Sequence, residues 1–172
     1  MMPRRPVPAR HPARWRWVLA AGVLVLLAAT RTWVAEPFSI PSASMEPTLR
    51  PGDQVLVDKL AYRRTAPRRG DLALFTTGGD RTVLLKRIVA LPGDRVAIED
   101  GVLAINGRLR LERYVDYPRV DSVYFGPVIV PAGRVFVLGD NRADSRDSRA
   151  YGAVPERRLI GRVLVRFWPP RR

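Results

Sequence analysis

The stretch that decides the fold class is residues 95–111, which read Arg95-Val96-Ala97-Ile98-Glu99-Asp100-Gly101-Val102-Leu103-Ala104-Ile105-Asn106-Gly107-Arg108-Leu109-Arg110-Leu111. Asp100-Gly101 and Asn106-Gly107 are dipeptides typical of tight hairpin turns, because their residues tolerate positive φ. The segments on either side of Asp100-Gly101 are short and apolar, as strands are. The stretch therefore predicts a β-meander.

Short apolar runs of this kind continue through the rest of the chain after residue 36. They cover residues 54–57, 72–75, 83–89, 128–130, 135–138 and 163–167. Alternation at a period of two is typical of strands, and no long helical pattern occurs there. Prolines such as Pro67, Pro92 and Pro131 fall between the runs, where they remove no ladder hydrogen bond. The chain is therefore predicted to be mostly β.

Composition excludes several kinds of chemistry. The 172 residues are 47% hydrophobic, which allows one core with at most a small added subdomain. The chain has no cysteine and a single histidine, His11, so thiol nucleophiles, zinc fingers and disulfide frameworks are excluded. His11 lies in the N-terminal segment, far from any serine-rich turn, which also argues against a Ser-His-Asp site.

The charge of the chain is strongly positive. The formal net charge is +14, which is compatible with nucleic-acid binding or with work beside anionic lipid. Of the 30 basic residues only Lys59 and Lys86 are lysines, so a lysine is an unusual choice in this chain. Lys59 follows an acid and has the pattern of an ordinary surface charge.

The N-terminal segment combines arginines with an apolar run from Trp17 to Ala29. A helix over residues 17–30 alone would reach about 21 Å against a hydrocarbon thickness of roughly 30 Å, as in a signal-peptide core or a buried helix. A helix over residues 15–35 would be long enough, with tryptophans near both interfaces. Because no small-x-small cleavage site follows, we predict a basic cytoplasmic leader (1–14), a transmembrane anchor (15–35) and an extracytoplasmic remainder.

Two elements supply candidates for a hydroxyl nucleophile with an amine base, the chemistry left when histidine and cysteine are excluded. One is the small-residue turn around Ser42 and Ser44. The other is the strand around Lys86, where strand parity places Lys86 with Leu84 and Ile88 and predicts partial burial. Burial favours the neutral amine of a lysine, whereas an arginine keeps its charge. From the pattern alone, a solvated strand lysine is an equally good interpretation.

These segments resemble type I signal peptidases, membrane proteases that remove signal peptides from exported proteins. The resemblance rests on five pieces in order: the anchor and residues 42–49, 69–75, 86–94 and 139–149. It implies two antiparallel β-sheet regions. We therefore expect a catalytic β core (36–95 and 134–168), a small inserted β subdomain (96–133) and a flexible tail (169–172).

The resemblance also implies the roles of the polar residues. Ser44 is the nucleophile, Lys86 is the general base, and an acyl-enzyme forms between the two half-reactions. The hydroxyl of Ser42 and the backbone N–H of Ser44 form the oxyanion hole. Ser145 orients the lysine, and Asp147 and Arg149 form a supporting ion pair. The residues expected to hold the last loop are Asp140, Asn141 and Arg142.

Substrate positions follow from the same resemblance. The shallow pockets accept small side chains at the first and third places before the cut, so Ala-X-Ala is the expected motif. The residues expected to line them are Phe38, Ile40, Pro41, Met45, Leu49, Val55, Leu84 and Leu85. Leu84 departs from relatives that carry an aromatic residue there. We expect no cofactor and no metal, signal peptides and anionic lipids as partners, no nucleic acid, and a monomer in the bacterial cytoplasmic membrane.

Two other functions are compatible with parts of the sequence. A self-cleaving Ser/Lys repressor would explain the positive charge through DNA, but residues 1–35 offer no DNA-binding helical domain. A β-domain without enzymatic activity, anchored and bound to anionic envelope components, would leave Lys86 without a role.

Overall fold

The computed structural model describes residues 14–77, 82–119 and 123–168. Within α1 the side chains at positions 26–33 are not among those described. The predicted flexible tail (169–172) and nearly all of the predicted leader (1–14) lie outside the described residues.

Strands dominate the described chain. The helices are α1 (Arg14–Val34), α2 (Ala61–Arg64) and α3 (Ser148–Tyr151). The strands are β1 (Ala35–Ser39), β2 (Gln54–Asp58), β3 (Leu72–Thr76), β4 (Val83–Ala90), β5 (Arg95–Glu99), β6 (Val102–Ile105), β7 (Arg108–Arg110), β8 (Phe125–Ile129), β9 (Arg134–Leu138), β10 (Val154–Pro155) and β11 (Leu159–Trp168). Short 3-10 turns cover Ala43–Met45, Tyr117–Arg119 and Glu156–Arg158.

The strands form two antiparallel sheets, which confirms the predicted mostly β fold with two sheet regions. The larger sheet has seven strands in the order β1-β2-β11-β3-β4-β9-β10. The smaller sheet has four strands in the order β7-β6-β5-β8 and is built from the segment between β4 and β9. Every recorded strand pair is antiparallel.

The meander predicted from residues 95–111 is β5, β6 and β7. Asp100 and Gly101 have φ of 51° and 76°, and Asn106 and Gly107 have φ of 53° and 76°. Positive φ at both central residues is the geometry that matches the right-handed twist of a two-residue hairpin. The two dipeptides therefore set the register of the smaller sheet.

Apolar side chains cover both faces of the larger sheet. On one face a cluster around Met45, Val55 and Leu85 packs under β1 and β2. On the other face a cluster around Phe75 and Ile88 lies under α3. A third cluster joins β4 and β9 to the smaller sheet. Since burial of apolar area is the main favourable term in folding, these clusters fix β4 between its neighbours.

The helix α1 spans nearly the segment predicted to be an anchor. No helix of the described residues is both long enough and apolar enough to cross a membrane. The predicted transmembrane span over residues 15–35 is therefore not supported.

Candidate active site

Lys86 is the buried cation of strand β4. Its backbone pairs with Ala73 of β3, so both side chains project from the face that carries the Phe75 cluster. Only 4% of Lys86 is exposed. Burial lowers the pKa of Lys86, and attraction to Asp147, Asp140 and Asp144 opposes this only in part. The partial burial that strand parity predicted for Lys86 is therefore confirmed.

Ser44 is the central residue of the 3-10 turn Ala43–Met45. The residue before this turn, Ser42, has an extended backbone. Met45 is 1% exposed and anchors the turn in the cluster under β1 and β2. The Nζ atom of Lys86 donates a hydrogen bond of 2.5 Å to the Ser44 Oγ atom. The Oγ atoms of Ser42 and Ser44 are 3.2 Å apart. The hydroxyl of Ser44 thus lies within hydrogen-bond distance of both the Lys86 amine, whose pKa is lowered, and the Ser42 hydroxyl.

The loop after β9 holds the turn that carries Ser44. The backbone N–H of Asn141 donates to the Ser44 carbonyl oxygen at 3.1 Å. The Asn141 side-chain amide donates to the Ala43 carbonyl oxygen at 3.2 Å. These two bonds cross nearly a hundred residues of sequence and position the nucleophilic turn.

Asp140 ties the same loop to the back of β4. Its carboxylate is fully buried and forms a bidentate ion pair with Arg87. Arg87 Nε donates to Asp140 Oδ1 at 2.8 Å, and Arg87 Nη2 donates to Asp140 Oδ2 at 2.6 Å. The Thr48 hydroxyl donates to Asp140 Oδ2 at 2.5 Å. Loss of one partner of a buried pair costs about 3–5 kcal/mol. Sequence reasoning placed Asp140 in the loop but missed Arg87 and Thr48, which lie far from it along the chain.

The predicted ion pair between Asp147 and Arg149 is present. Arg149 Nε donates to Asp147 Oδ1 at 2.8 Å, and Arg149 Nη2 donates to Oδ2 at 2.9 Å. Asp147 is fully buried and also accepts the backbone N–H of Gly139 at 3.1 Å. Arg142 donates to the Gly139 carbonyl oxygen at 2.9 Å and pairs with Glu112. The ion pairs of Arg149 with Asp147 and of Arg142 with Glu112 therefore hold this loop in place.

Ser145 differs from the expectation that it hydrogen-bonds Lys86. Its Oγ atom is buried and has no hydrogen-bond partner in the part of the chain that the structure describes. The side chain packs against Gly139, where an added Cβ would lie 2.2 Å from Ser145 Oγ and 2.5 Å from the Ser44 carbonyl oxygen. Gly139 is thus required for the close approach of both serines.

Replacing Gly139 with Ala is therefore expected to lower peptide-cleaving activity by about tenfold to 100-fold, since small displacements of reacting groups cost this much. The new methyl group would push Ser44, Ser145 or both away from Lys86. The measurement is kcat/KM for a peptide substrate, with a thermal melt of each variant. Gly22→Ala is the control because its Cβ would meet nothing within 4 Å. Wild-type activity in Gly139→Ala would contradict the assigned packing.

A cavity of about 440 Å³ opens in front of the serine and the lysine. Its lining residues are Ser42, Ala43, Ser44, Thr77, Thr82, Leu84, Lys86, Asp144, Arg146 and Tyr151. Of the eight residues predicted to line substrate pockets, only Leu84 is among the described residues that line this cavity. Leu85 points to the opposite face, because it pairs with Leu74 of the other cluster.

The remaining predicted pocket residues do not line this cavity. Ile40, Met45, Leu49 and Val55 are buried in the cluster under β1 and β2. Phe38 is partly buried against that cluster, and Pro41 is exposed. Ile40, Met45, Leu49 and Val55 thus form the core beneath the turn, and the role of these residues in substrate binding stays a prediction.

Several cavity residues were missed by sequence reasoning. Thr82 shares strand parity with Leu84 and Lys86, a signal that was available. Asp144 and Arg146 flank Ser145 in the last loop. Burial and the nearby Asp147 raise the pKa of Tyr151, so its phenol stays neutral. No group of three or more histidine, cysteine or acidic side chains within residues 14–77, 82–119 and 123–168 could hold a metal ion.

Comparison with known proteins decides the family. A family model described as signal peptidase, peptidase S26, matches residues 14–168. The chain belongs to this family. It is therefore a serine peptidase, a hydrolase, and the family membership favours neither a self-cleaving repressor nor a β-domain without activity.

Relatives support the family over most of the chain. A probable signal peptidase I-2 of Synechocystis sp. is 41% identical over 85% of this chain and 69% of its own length. A signal peptidase I of Mycobacterium tuberculosis is 36% identical over 90% of this chain and 72% of its own length. The crystal structure of a signal peptidase I from Enterococcus faecalis is 32% identical, with a TM-score of 0.51. It covers 59% of this chain and 98% of the crystallised chain.

Proposed function

We propose that this chain cleaves N-terminal signal peptides from exported preproteins, with Ser44 as nucleophile and Lys86 as general base. The observation that carries the proposal is the 2.5 Å contact between Lys86 Nζ and Ser44 Oγ beside an open cavity. A nucleophile within hydrogen-bond reach of a base is the arrangement that covalent catalysis needs. The signal peptidase relatives give the substrate class.

The first step requires the neutral form of Lys86. Its lone pair accepts the proton of the Ser44 hydroxyl while Ser44 Oγ attacks the carbonyl carbon of the scissile bond. Burial lowers the pKa of Lys86 and so increases the fraction of neutral amine. The protonated Lys86 then gives its proton to the amine that leaves as the new N-terminus.

The oxyanion that forms in this step needs donors. The Ser42 hydroxyl, whose oxygen is 3.2 Å from Ser44 Oγ, and the backbone N–H of Ser44 are suitably near. Collapse of the tetrahedral intermediate leaves the signal peptide esterified to Ser44. In the second half-reaction, Lys86 accepts a proton from a water molecule as the water oxygen attacks the ester carbon. The ester bond to Ser44 Oγ then breaks, Lys86 returns the proton to Ser44 Oγ, and the signal peptide leaves as a carboxylic acid.

The supporting residues position the reacting groups and take no part in forming or breaking bonds. Asp147 and Arg149 hold the loop that carries Ser145, and Arg149 Nη2 donates to the Ser145 carbonyl oxygen at 3.2 Å. Asp147 also adds negative potential at Lys86. This potential keeps the lowered pKa of Lys86 from falling further.

The substrate side of the proposal is cleavage after Ala-X-Ala. The family resemblance is what supports small side chains here, and the turn at Ser42–Ser44 and Leu84 line the cavity that would receive them. Residues before the cut would lie over the surface formed by Phe38, Ile40 and Pro41. Because its apolar neighbours are buried, that surface would have to open slightly to accept a side chain.

A membrane surface is the proposed place of work, on the extracytoplasmic side of a bacterial cytoplasmic membrane. Exposed apolar side chains on α1 include Trp15, Trp17 and Leu24, and on β11 they include Phe167 and Trp168. Apolar groups of this size favour an interfacial environment. Fractionation of cells that express the chain tests this point, and recovery only in the soluble fraction would contradict it.

The test of the proposed function is cleavage of a preprotein by the purified full chain in detergent. We expect a single cut after Ala-X-Ala and loss of about 100-fold in rate when the final alanine is replaced by a bulky residue, because a site that selects small side chains discriminates by this order. N-terminal sequencing of the product gives the position of the cut. Efficient cleavage after the bulky residue, or no cleavage of any preprotein, would contradict the proposal.

A further inference from the structure

Three arginines on the last loop have different surroundings. Arg142 is 4% exposed and is held by Glu112 and the Gly139 carbonyl oxygen. Arg149 is held by Asp147 and the Ser145 carbonyl oxygen. Arg146 is exposed and lines the cavity that contains Ser44 and Lys86. Among the described residues it makes no ion pair and no hydrogen bond, so its guanidinium is available to a ligand.

Asp144 lines the same cavity but does not neutralise Arg146. No ion pair joins the two side chains within the described chain, whereas the Asp144 carboxylate attracts the Lys86 ammonium. A substrate cation beside Asp144 would also meet the guanidinium of Arg146 in the same cavity. The chain as a whole carries a net charge of +14, which further favours negative ligands.

We propose that Arg146 gives this cleft a charge preference: it favours substrates with an acidic side chain within three residues of the scissile bond and disfavours lysine there. The proposal rests on the proposed peptidase function and adds a specificity-determining residue to it. A guanidinium offers five donors in a planar arrangement, so it can bind a carboxylate through two parallel hydrogen bonds.

The expected size of the effect follows from the exposure of Arg146. Ion pairs between exposed side chains are weak, so an acid is expected to raise kcat/KM by about twofold to fivefold over glutamine. Repulsion lowers kcat/KM for lysine by a similar factor. The difference between acid and lysine at the best position is therefore about tenfold.

The experiment uses the purified full chain in detergent and internally quenched peptides that contain Ala-X-Ala. Each peptide carries Glu, Gln or Lys at a single position. The positions tested run from three residues before the cut to three residues after it, except the two alanines. Each enzyme's kcat/KM is normalised to its own Gln peptide. The enzymes are wild type, Arg146→Gln, Arg146→Glu and Arg157→Glu. Arg157 is exposed on the turn Glu156–Arg158 and does not line the cavity, so it matches the change in net charge.

We expect a preference for Glu over Lys at one or two positions in wild type and in Arg157→Glu. The preference should disappear in Arg146→Gln and reverse in Arg146→Glu. The inference is overturned if wild type shows less than a twofold difference at every position, or if Arg146→Glu keeps the wild-type preference. Failure of wild type to cleave any peptide, including the Gln peptides, would instead overturn the proposed function.

Discussion

Replacing Lys86 with Met is expected to lower cleavage by about 10³-fold or more while the domain stays folded. Methionine has a similar length but no lone pair that can take the Ser44 proton. It also removes a buried amine whose charged form is disfavoured by burial, so the melting temperature should be unchanged or higher. Lys86→Arg should lose activity as well, because a guanidinium keeps its proton.

The control for this prediction is Lys59→Met. Lys59 is the other lysine of the chain, and it forms a 3.0 Å ion pair with Glu36 in a more exposed place. The control should keep wild-type kcat/KM, and its stability should change by less than about 1 kcal/mol. Activity within tenfold of wild type in Lys86→Met would show that another group activates the nucleophile.

Replacing Ser44 with Ala is expected to reduce cleavage by a similar factor, about 10³-fold or more. The change removes one oxygen and leaves the turn, which Met45 and the two bonds from Asn141 hold in place. Substrate binding should therefore survive, and the variant should still bind an Ala-X-Ala peptide. Residual cleavage near wild type would mean that Ser42 or water attacks directly.

Ser39→Ala is the matched control for Ser44→Ala. Ser39 is an exposed serine at the end of β1, paired with Gln54 and outside the cavity. The double variant Ser44→Ala with Lys86→Met should be no worse than either single variant, because residues that act as a unit do not add. An additive double variant would argue that the serine and the lysine work separately.

The hairpins of the smaller sheet could be predicted because their information is local. The dipeptides Asp100-Gly101 and Asn106-Gly107 each predict a two-residue hairpin turn, and both turns have the expected positive φ. Strand parity on β4 is also local, and it predicted partial burial of Lys86 while leaving a solvated lysine equally compatible with the pattern. By contrast, the apolar run of α1 was compatible with several environments, and its local pattern does not choose among them.

The network behind the site could not be predicted from spacing. Thr48, Arg87 and Asp140 meet although they are separated by up to 92 residues, and no periodicity relates them. Of the pocket residues implied by the family resemblance, Leu84 lines the cavity in front of Ser44, and the substrate role of the others stays a prediction. Leu84 and Leu85 are neighbours in sequence but face opposite sides of β4, and only a register shows which side holds the cavity.

The pH dependence of kcat/KM tests the central claim, that a neutral Lys86 amine activates Ser44, most directly. Burial lowers the pKa of Lys86, so the active neutral form appears as pH rises through a value below the ordinary lysine range. The measurement is kcat/KM of the full chain from about pH 5 to about pH 10, at constant ionic strength. We predict a rise with increasing pH, followed by a fall when other groups titrate. A flat profile over this range would contradict an amine base.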